Sequence, residues 1–269
     1  MKILDDYNFR DKIVLLRVDL NSDFLNGKII LNERFKAHAQ TIKELKRKKA
    51  KIVLLAHQGR PGDEDFTSLK QHAKLLNKYV KVKFVDDVIG KKALNSIKNM
   101  KNGDVLLLDN IRKLKDEFRG DSNNKFVRIL SGIADFYVND AFSVSHRKHT
   151  SVVGFPMVME SFIGRVMERE LNALKKLHVK NALYILGGAK AEDNMLLLKG
   201  KKVLSCGLFG HLCLIAKGYN LGAQNKFLKN KLKIVSKLKR KLKNVETPID
   251  LAVKINGKRK ELLLKEFPS

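Results

Sequence analysis

Four apolar runs, each cut off by a polar loop, limit what this chain can become. Residues 13–18 (IVLLRV), 51–56 (KIVLLA), 104–108 (DVLLL) and 136–138 (FYV) are near-continuous in apolar side chains rather than alternating. A strand with one wet face alternates. A continuous run belongs to a strand covered on both faces, as in a parallel sheet between helix layers. Helix patterns lie between these runs. Residues 34–49 put Phe35, Ala39, Ile42 and Leu45 on one face and lysines on the other. Residues 68–79, capped by Thr67 or Ser68, and residues 90–100 and 124–132 read as further helices. Residues 82–85 read as a strand, 21–27 as a loop and 28–31 as a short strand. This rhythm predicts an α/β fold with a mostly parallel sheet and helices on both faces.

A boundary falls near Gly154-Phe155-Pro156. Residues 159–177 then read as one long helix with Phe162, Val166, Leu171 and Leu174 apolar. Residues 182–186 open a second α/β unit. Gly187-Gly188 turns into a helix from about Ala191, residues 203–206 form a strand, and residues 208–217 form a helix closed by Gly218. In residues 225–243, Leu228, Leu232, Val235, Leu238 and Leu242 fall at steps of three and four, which predicts one amphipathic cationic helix. Residues 249–253 read as a last strand.

The strand ends carry the chemistry. In an open parallel sheet, ligands bind beyond the carboxyl ends of the strands. The four runs deliver Arg17, Arg60, Arg112 and Arg147 there. One such arginine alone reads as a solvated surface charge; four in equivalent places read as an anion pocket built from several loops. Asp19 and Asn21 cap a loop or meet a ligand. Arg34 opens a helix, where its charge opposes the macrodipole, so it is expected to face a ligand instead. In AHQGRP, Gly59 permits a tight turn and Arg60 can grip a phosphate or carboxylate bidentately, with His57 and Gln58 beside it. Gly187, Gly188, Ala189 and Lys190 lie between a strand and a helix. Glycines there let a phosphate approach backbone N–H groups, and Lys190 supplies a mobile charge. The spacing is not that of a P-loop. His38, His72, His178 and His211 have no ligand spacing and read as surface or packed residues.

The net charge of +27 is a Lys-rich solubilising surface or a preference for anionic partners, and charge alone does not choose. Cys206 and Cys213 are too far apart for a CxxC pair and are expected as buried, reduced thiols of a cytosolic protein. The first residues show no signal-peptide pattern, and no apolar run approaches the ~20 residues of a membrane span. A cytoplasmic protein with no membrane partner is expected.

With these residues collected, the chain resembles phosphoglycerate kinases, in particular archaeal ones. The matching stretches are RVDLN, NERFKA, AHQGRP, LLDNIR, YVNDAFSVSHRKHTS with VVGFP, and ILGGAK, in the family's order; GLFGHLCLIAKGYNLG and TPIDLAVKINGKR carry the archaeal likeness. The resemblance implies two Rossmann-like, three-layer domains with parallel sheets: residues 1–155 for 3-phosphoglycerate, residues 156–180 as a hinge helix, and residues 181–269 as a partial nucleotide-binding domain. It implies reversible phosphoryl transfer between ATP and the carboxylate of 3-phosphoglycerate, a step of glycolysis and gluconeogenesis. Asp19, Leu20, Asn21, Arg34, His57, Gln58, Gly59, Arg60, Arg112 and Arg147 would bind the substrate. Gly187, Gly188, Ala189 and Lys190 would bind the nucleotide. Arg34 and Lys190 would be catalytic. The cofactor would be ATP or ADP, with Mg2+ carried by the nucleotide; the family's metal-ligand segment has no counterpart in this sequence.

Several positions depart from the family pattern. Asn21-Ser22-Asp23 lacks a proline, Gln58 replaces an apolar residue, Lys113 replaces an aromatic one, and Asn194 stands where many members carry a lysine. The family's GPxGxFE-like, GGG(D/H)T-like and STGGGA-like segments have no counterpart in these 269 residues. The expectation is therefore a truncated second domain, which puts turnover by this chain alone in question. The alternatives are a non-catalytic 3-phosphoglycerate-binding module, or one subunit of a kinase completed by a separate chain. A further alternative, a basic protein binding nucleic acid through residues 225–243, is not expected, because no dedicated nucleic-acid motif is present.

Overall fold

The structure is a computed structural model that describes residues 2–177, 182–188, 190–198 and 202–267. The chain divides into two compact units, Met1–Lys176 and Leu177–Ser269. The strands of the first unit are β1 (Ile13–Arg17), β2 (Phe24–Leu25), β3 (Lys28–Ile29), β4 (Lys51–Leu55), β5 (Lys83–Val85), β6 (Val105–Leu108), β7 (Phe136–Asn139) and β8 (Ser161–Ile163). Its helices are α1 (Glu33–Arg47), α2 (Lys70–Leu76), α3 (Lys91–Lys98), α4 (Lys125–Ser131), α5 (Thr150–Val153) and α6 (Arg165–Lys175). Six strands form one parallel sheet in the order β5-β6-β4-β1-β7-β8.

Alternation of side chains along each strand explains the continuous apolar runs. Val14, Leu16, Ile52, Leu54, Leu107 and Val138 pack with Phe35, Ile42 and Leu76 of α1 and α2. Their neighbours Leu15, Val53, Leu55, Leu106, Leu108 and Tyr137 pack on the opposite layer with Ala93, Ile97, Phe126 and Leu130 of α3 and α4. Both sheet faces are therefore dry, and each such side chain contributes about 1.5–3 kcal/mol on burial. This is the three-layer α/β arrangement the runs predict.

Four local expectations are corrected in this unit. Residues 159–177 do not form one helix. Ser161–Ile163 becomes β8, paired in parallel with β7, and the helix starts only at Arg165 with Gly164 as its N-cap. Phe162 lies under a cluster of Phe9, Phe136 and Tyr7 rings, so tertiary packing overrides the helical spacing. Residues 21–27 are not all loop, because β2 pairs with β3 in a short antiparallel hairpin. Neither Thr67 nor Ser68 is the N-cap of α2; that position is Leu69, whose backbone N–H donates to Asp109 Oδ1 at 2.8 Å. Asp109 lies just past β6, forty residues away in sequence, while Ser68 Oγ makes a longer contact, 3.4 Å, to the Lys70 N–H. Finally, Arg17 does not join an open pocket. It is fully buried as the last residue of β1.

The second unit contains β9 (Leu183–Leu186), α7 (Ala191–Leu196), β10 (Lys202–Ser205), α8 (Gly207–Ala216), α9 (Ala223–Phe227), α10 (Val235–Lys239), β11 (Val245–Glu246), β12 (Asp250–Ile255) and β13 (Lys258–Leu263). β9, β10 and β11 form a parallel sheet in the order β11-β10-β9. The strand expected at 249–253 is present as β12, but it pairs antiparallel with β13 in a separate hairpin. The single helix expected over 225–243 is broken. Turns of 3-10 helix at Lys229–Ile234 and Leu242–Asn244 interrupt it. A straight helix would stack Lys229, Lys233, Lys237 and Lys241 at successive i,i+4 positions, where like charges repel. The broken path still delivers Leu228, Leu238 and Leu242 to the core around Phe209 and Leu212 of α8; the Leu232 side chain lies outside the description. Cys213 is buried as expected, but Cys206 is exposed, because it caps the start of α8 beyond the end of β10. His178 lies outside the described residues.

Candidate functional site

The carboxyl ends of β1, β4, β6 and β7 gather the predicted residues of the first unit. Arg17 organises them from below. Its Nε donates to Ser151 Oγ at 3.0 Å, one terminal nitrogen donates to the carbonyls of Val18 and Leu55, and the other meets His57 Nδ1 at 2.8 Å. A guanidinium only donates, so Nδ1 of His57 is an acceptor and the ring proton sits on Nε2. Burial, and then the charges of Arg17, Arg112, His149 and Arg147, hold the His57 pKa well below its ordinary value. His57 is thus a neutral ring with one N–H left to donate. Glu117, also fully buried, balances Arg17 through Ser151, accepting the Ser151 hydroxyl at 2.7 Å and its backbone N–H at 2.9 Å.

Around this base the field is strongly positive. Arg112 is almost fully buried, and its pKa falls to about 10 through burial first, then repulsion from Arg17 and Arg147, with Arg60 adding and Glu117 opposing. One of its terminal nitrogens donates to the Gly59 carbonyl, while its Nε has no partner among the described residues. Arg60 is exposed and Arg147 half-buried, and neither guanidinium makes a hydrogen bond or ion pair within the described residues. Three arginines that repel one another beside a neutral histidine concentrate positive charge with donors to spare, an arrangement whose chemistry suits a multiply charged anion.

The adjoining loop sets the other predicted residues. Asn32 caps α1 by accepting Arg34 N–H at 3.1 Å. Arg34 then turns back to donate to Asp19 Oδ2, which also accepts the Ser143 hydroxyl. Asp19 Oδ1 accepts the Asn21 backbone N–H at 3.0 Å, and Asn21 Oδ1 accepts the Gly59 N–H at 2.9 Å. A cleft of about 370 Å³ opens here, lined by Asp19, Arg34, His38, Ser143, Val166 and Arg169 among others. Gln58 points inward. Its amide bonds both backbone groups of Ser22 at 2.9 Å, and His72 Nε2 lies 3.0 Å from its carbonyl oxygen. Leu20 is core. A larger cavity, about 550 Å³, lies at the opposite end of the strands, lined by Lys46, Lys81, Lys83, Asn95 and Asp104 among others, and holds none of these groups.

Three residues here escaped the sequence reading. His38 Nε2 accepts the Asp19 backbone N–H at 3.2 Å, and its Nδ1 donates to Asp140 Oδ2 at 2.9 Å. Asp140 Oδ1 accepts the first N–H groups of α6, Val166 at 2.8 Å and Met167 at 3.3 Å. Ser143 completes the Asp19 carboxylate. His38 and Asp140 stood visible as polar residues on an apolar helix face and at a strand end, but their pairing joins positions about a hundred residues apart.

In the second unit, Gly187 follows β9 and Gly188 has φ +82° with open space where a Cβ would stand. Asn194 Nδ2 donates to the Gly187 carbonyl at 2.7 Å, so it braces this turn. Lys190 is exposed, with no bond from its ammonium within the described residues. Ala189 lies outside the described residues. No group of three or more His, Cys, Asp or Glu among the described residues could hold a metal ion. No helix among them is long and apolar enough to cross a membrane.

The family model for phosphoglycerate kinase matches residues 4–266. A phosphoglycerate kinase of Saccharolobus solfataricus is 43% identical over 280 residues, covering 94% of this chain and 68% of the relative. One of Methanothermus fervidus is 37% identical, covering 99% and 71%. The crystal structure of the phosphoglycerate kinase of Pyrococcus horikoshii OT3 superposes with a TM-score of 0.89 at 36% identity, covering 100% of this chain and 72% of that one. This chain thus spans about two thirds of the length of these relatives.

Proposed function

The chain belongs to the phosphoglycerate kinase family, and from that premise we propose that it moves a phosphoryl group reversibly between ATP and the carboxylate of 3-phosphoglycerate. The observation that carries the reading is the set of Arg60, Arg112 and Arg147 around neutral His57, beside the Arg34–Asp19 pair. The arginine set suits the dianionic 3-phosphate. Asn21 retains a free amide for the other end of the substrate, and the His57 Nε2–H is free to donate. Arg34 is half-exposed and uses one nitrogen on Asp19, so its remaining donors are free for the oxygens of the transferred group. Phosphoryl transfer needs placement and charge neutralisation more than covalent help. Gly187, Gly188, Ala189 and Lys190 are assigned to the nucleotide phosphates. Mg2+ would arrive on the nucleotide and neutralise its phosphates; the described residues offer no cluster to hold it, and Lys190 supplies the chain's own positive charge. Leu20 and Gln58 act as supports of the loop rather than as ligand contacts. As a glycolytic enzyme the protein would act in the cytoplasm.

The test is an assay of the purified 269-residue chain for ATP-dependent 1,3-bisphosphoglycerate, with 3-phosphoglycerate binding measured in parallel by calorimetry. Turnover supports the kinase. Binding without turnover leaves a 3-phosphoglycerate-binding module. A second reading, a subunit completed by another polypeptide, is favoured by apolar side chains left in water in the second unit: Leu183 and Ile185 on β9 are 56% and 68% exposed, and Leu196 on α7 is 79% exposed. Turnover that appears only on adding a polypeptide matching the relatives' remaining third would establish it.

A further inference from the structure

Residues 226–243 hold nine Lys and Arg and no Asp or Glu. A surface that only maintains solubility mixes both signs. This one is a single-sign block with no acidic residue within it. Eight of the nine side chains are exposed, and none of those eight makes an ion pair or hydrogen bond with a described residue. By contrast, Arg165 at the start of α6 pairs with Asp5, Glu44 and Glu168, and Arg169 with Glu170.

A second observation comes from α9. Phe227 ends that helix 74% exposed, between Lys226 and Lys229. An aromatic ring left in water beside unpaired ammonium groups matches what single-stranded nucleic acid needs: a stacking face for a base and cations for the backbone. We propose that residues 226–243, with Phe227 as the stacking platform, form a binding surface for single-stranded RNA or DNA. The broken path argues against duplex readout, because no straight helix is available to lie in a major groove. It also argues against an anionic membrane. A membrane-bound helix needs a free apolar face, and here Leu228, Leu238 and Leu242 are in the protein core.

The experiment is fluorescence anisotropy of the full chain with a labelled single-stranded oligonucleotide of mixed sequence. A duplex of the same sequence and phosphatidylserine vesicles form the other arms. The single strand should bind more tightly than the duplex, with log Kd rising as log salt by about 0.7 per phosphate contacted. Phe227→Ala should weaken binding by about fivefold or more, and Phe227→Tyr should restore it. The charge swap Lys229→Glu with Lys233→Glu and Lys237→Glu should abolish binding. Unchanged 3-phosphoglycerate binding, together with an unchanged thermal midpoint, shows that the variants are folded. No single-strand binding, equal affinity for duplex, indifference to Phe227→Ala, or binding to vesicles alone would each overturn the proposal.

Discussion

The imidazole of His38 joins the Asp140 carboxylate at 2.9 Å, and through it the backbone of Asp19 is tied to the first turn of α6. Both side chains are almost fully buried. Replacing His38 by Leu strands a buried carboxylate oxygen and removes the acceptor of the Asp19 N–H. The expected loss is about 1–3 kcal/mol of stability for each unmet group, less where water enters. Urea unfolding of His38→Leu checks this, and a midpoint equal to that of the parent chain would refute the relay.

Arg34→Ala separates binding from transfer. The anion set of Arg60, Arg112 and Arg147 remains, so affinity for 3-phosphoglycerate should change little. Turnover should fall by about a thousandfold or more, the scale of a charge-stabilising arginine in phosphoryl transfer. Equal losses in Kd and kcat would remove the catalytic role.

Arg112→Met should behave oppositely to an ordinary core mutation. The guanidinium is buried and repelled by Arg17 and Arg147. Its removal relieves that repulsion, so stability without ligand should stay within about 1 kcal/mol of the parent. Affinity for 3-phosphoglycerate should drop about tenfold or more, because a charge-assisted bond is lost. Thermal shifts with and without 3-phosphoglycerate read both quantities together.

Acid should destabilise the first unit through His72. Burial lowers its pKa from 6.5 to about 4. The unfolded chain therefore binds a proton between pH 6.5 and 4 that the fold refuses. Stability is fully present above about pH 6.5 and falls as pH drops toward 4, by on the order of 3 kcal/mol in all. His57 shifts in the same direction and adds to the slope. His72→Leu should flatten the decline between pH 6.5 and 4 in urea unfolding; an unaltered slope would contradict the assignment.

Gly59→Ala should disable the AHQGRP loop. Gly59 has φ +63°, and a Cβ there would stand 2.7 Å from the Asp65 backbone. The strain and the clash should cost about 1–3 kcal/mol and weaken 3-phosphoglycerate binding, since the Gly59 carbonyl receives Arg112 and its N–H holds Asn21. Crystallography or amide exchange of the variant would show the displaced loop.

Much of the fold, and the placement of the candidate site residues, was legible because both are local in their signals. Continuous apolar runs marked β1, β4 and β6. Residue type at the run ends marked Asp19, Asn21, His57, Arg60, Arg112 and Arg147. The errors share one cause. β8 carries the spacing of a helix, but pairing with β7 and packing against three aromatic rings outweigh that weak local preference. The segment 225–243 carries a clean amphipathic period, yet repulsion between stacked lysines and the demands of the α8 core divide it.

The sequence by itself determined the layers, the parallel sheet and the residues placed at its carboxyl edge, since side-chain period and strand-end chemistry are written in short stretches. Only the tertiary structure decided which arginines keep their donors free. Arg17 occupies the same kind of strand end as the others, but the carbonyls of Val18 and Leu55, Ser151 and His57 take its donors and leave it fully buried. Arg60 and Arg147 find no such partners among the described residues and keep their donors free. That division depends on groups brought together from β4 and α5, which no local reading of β1 contains.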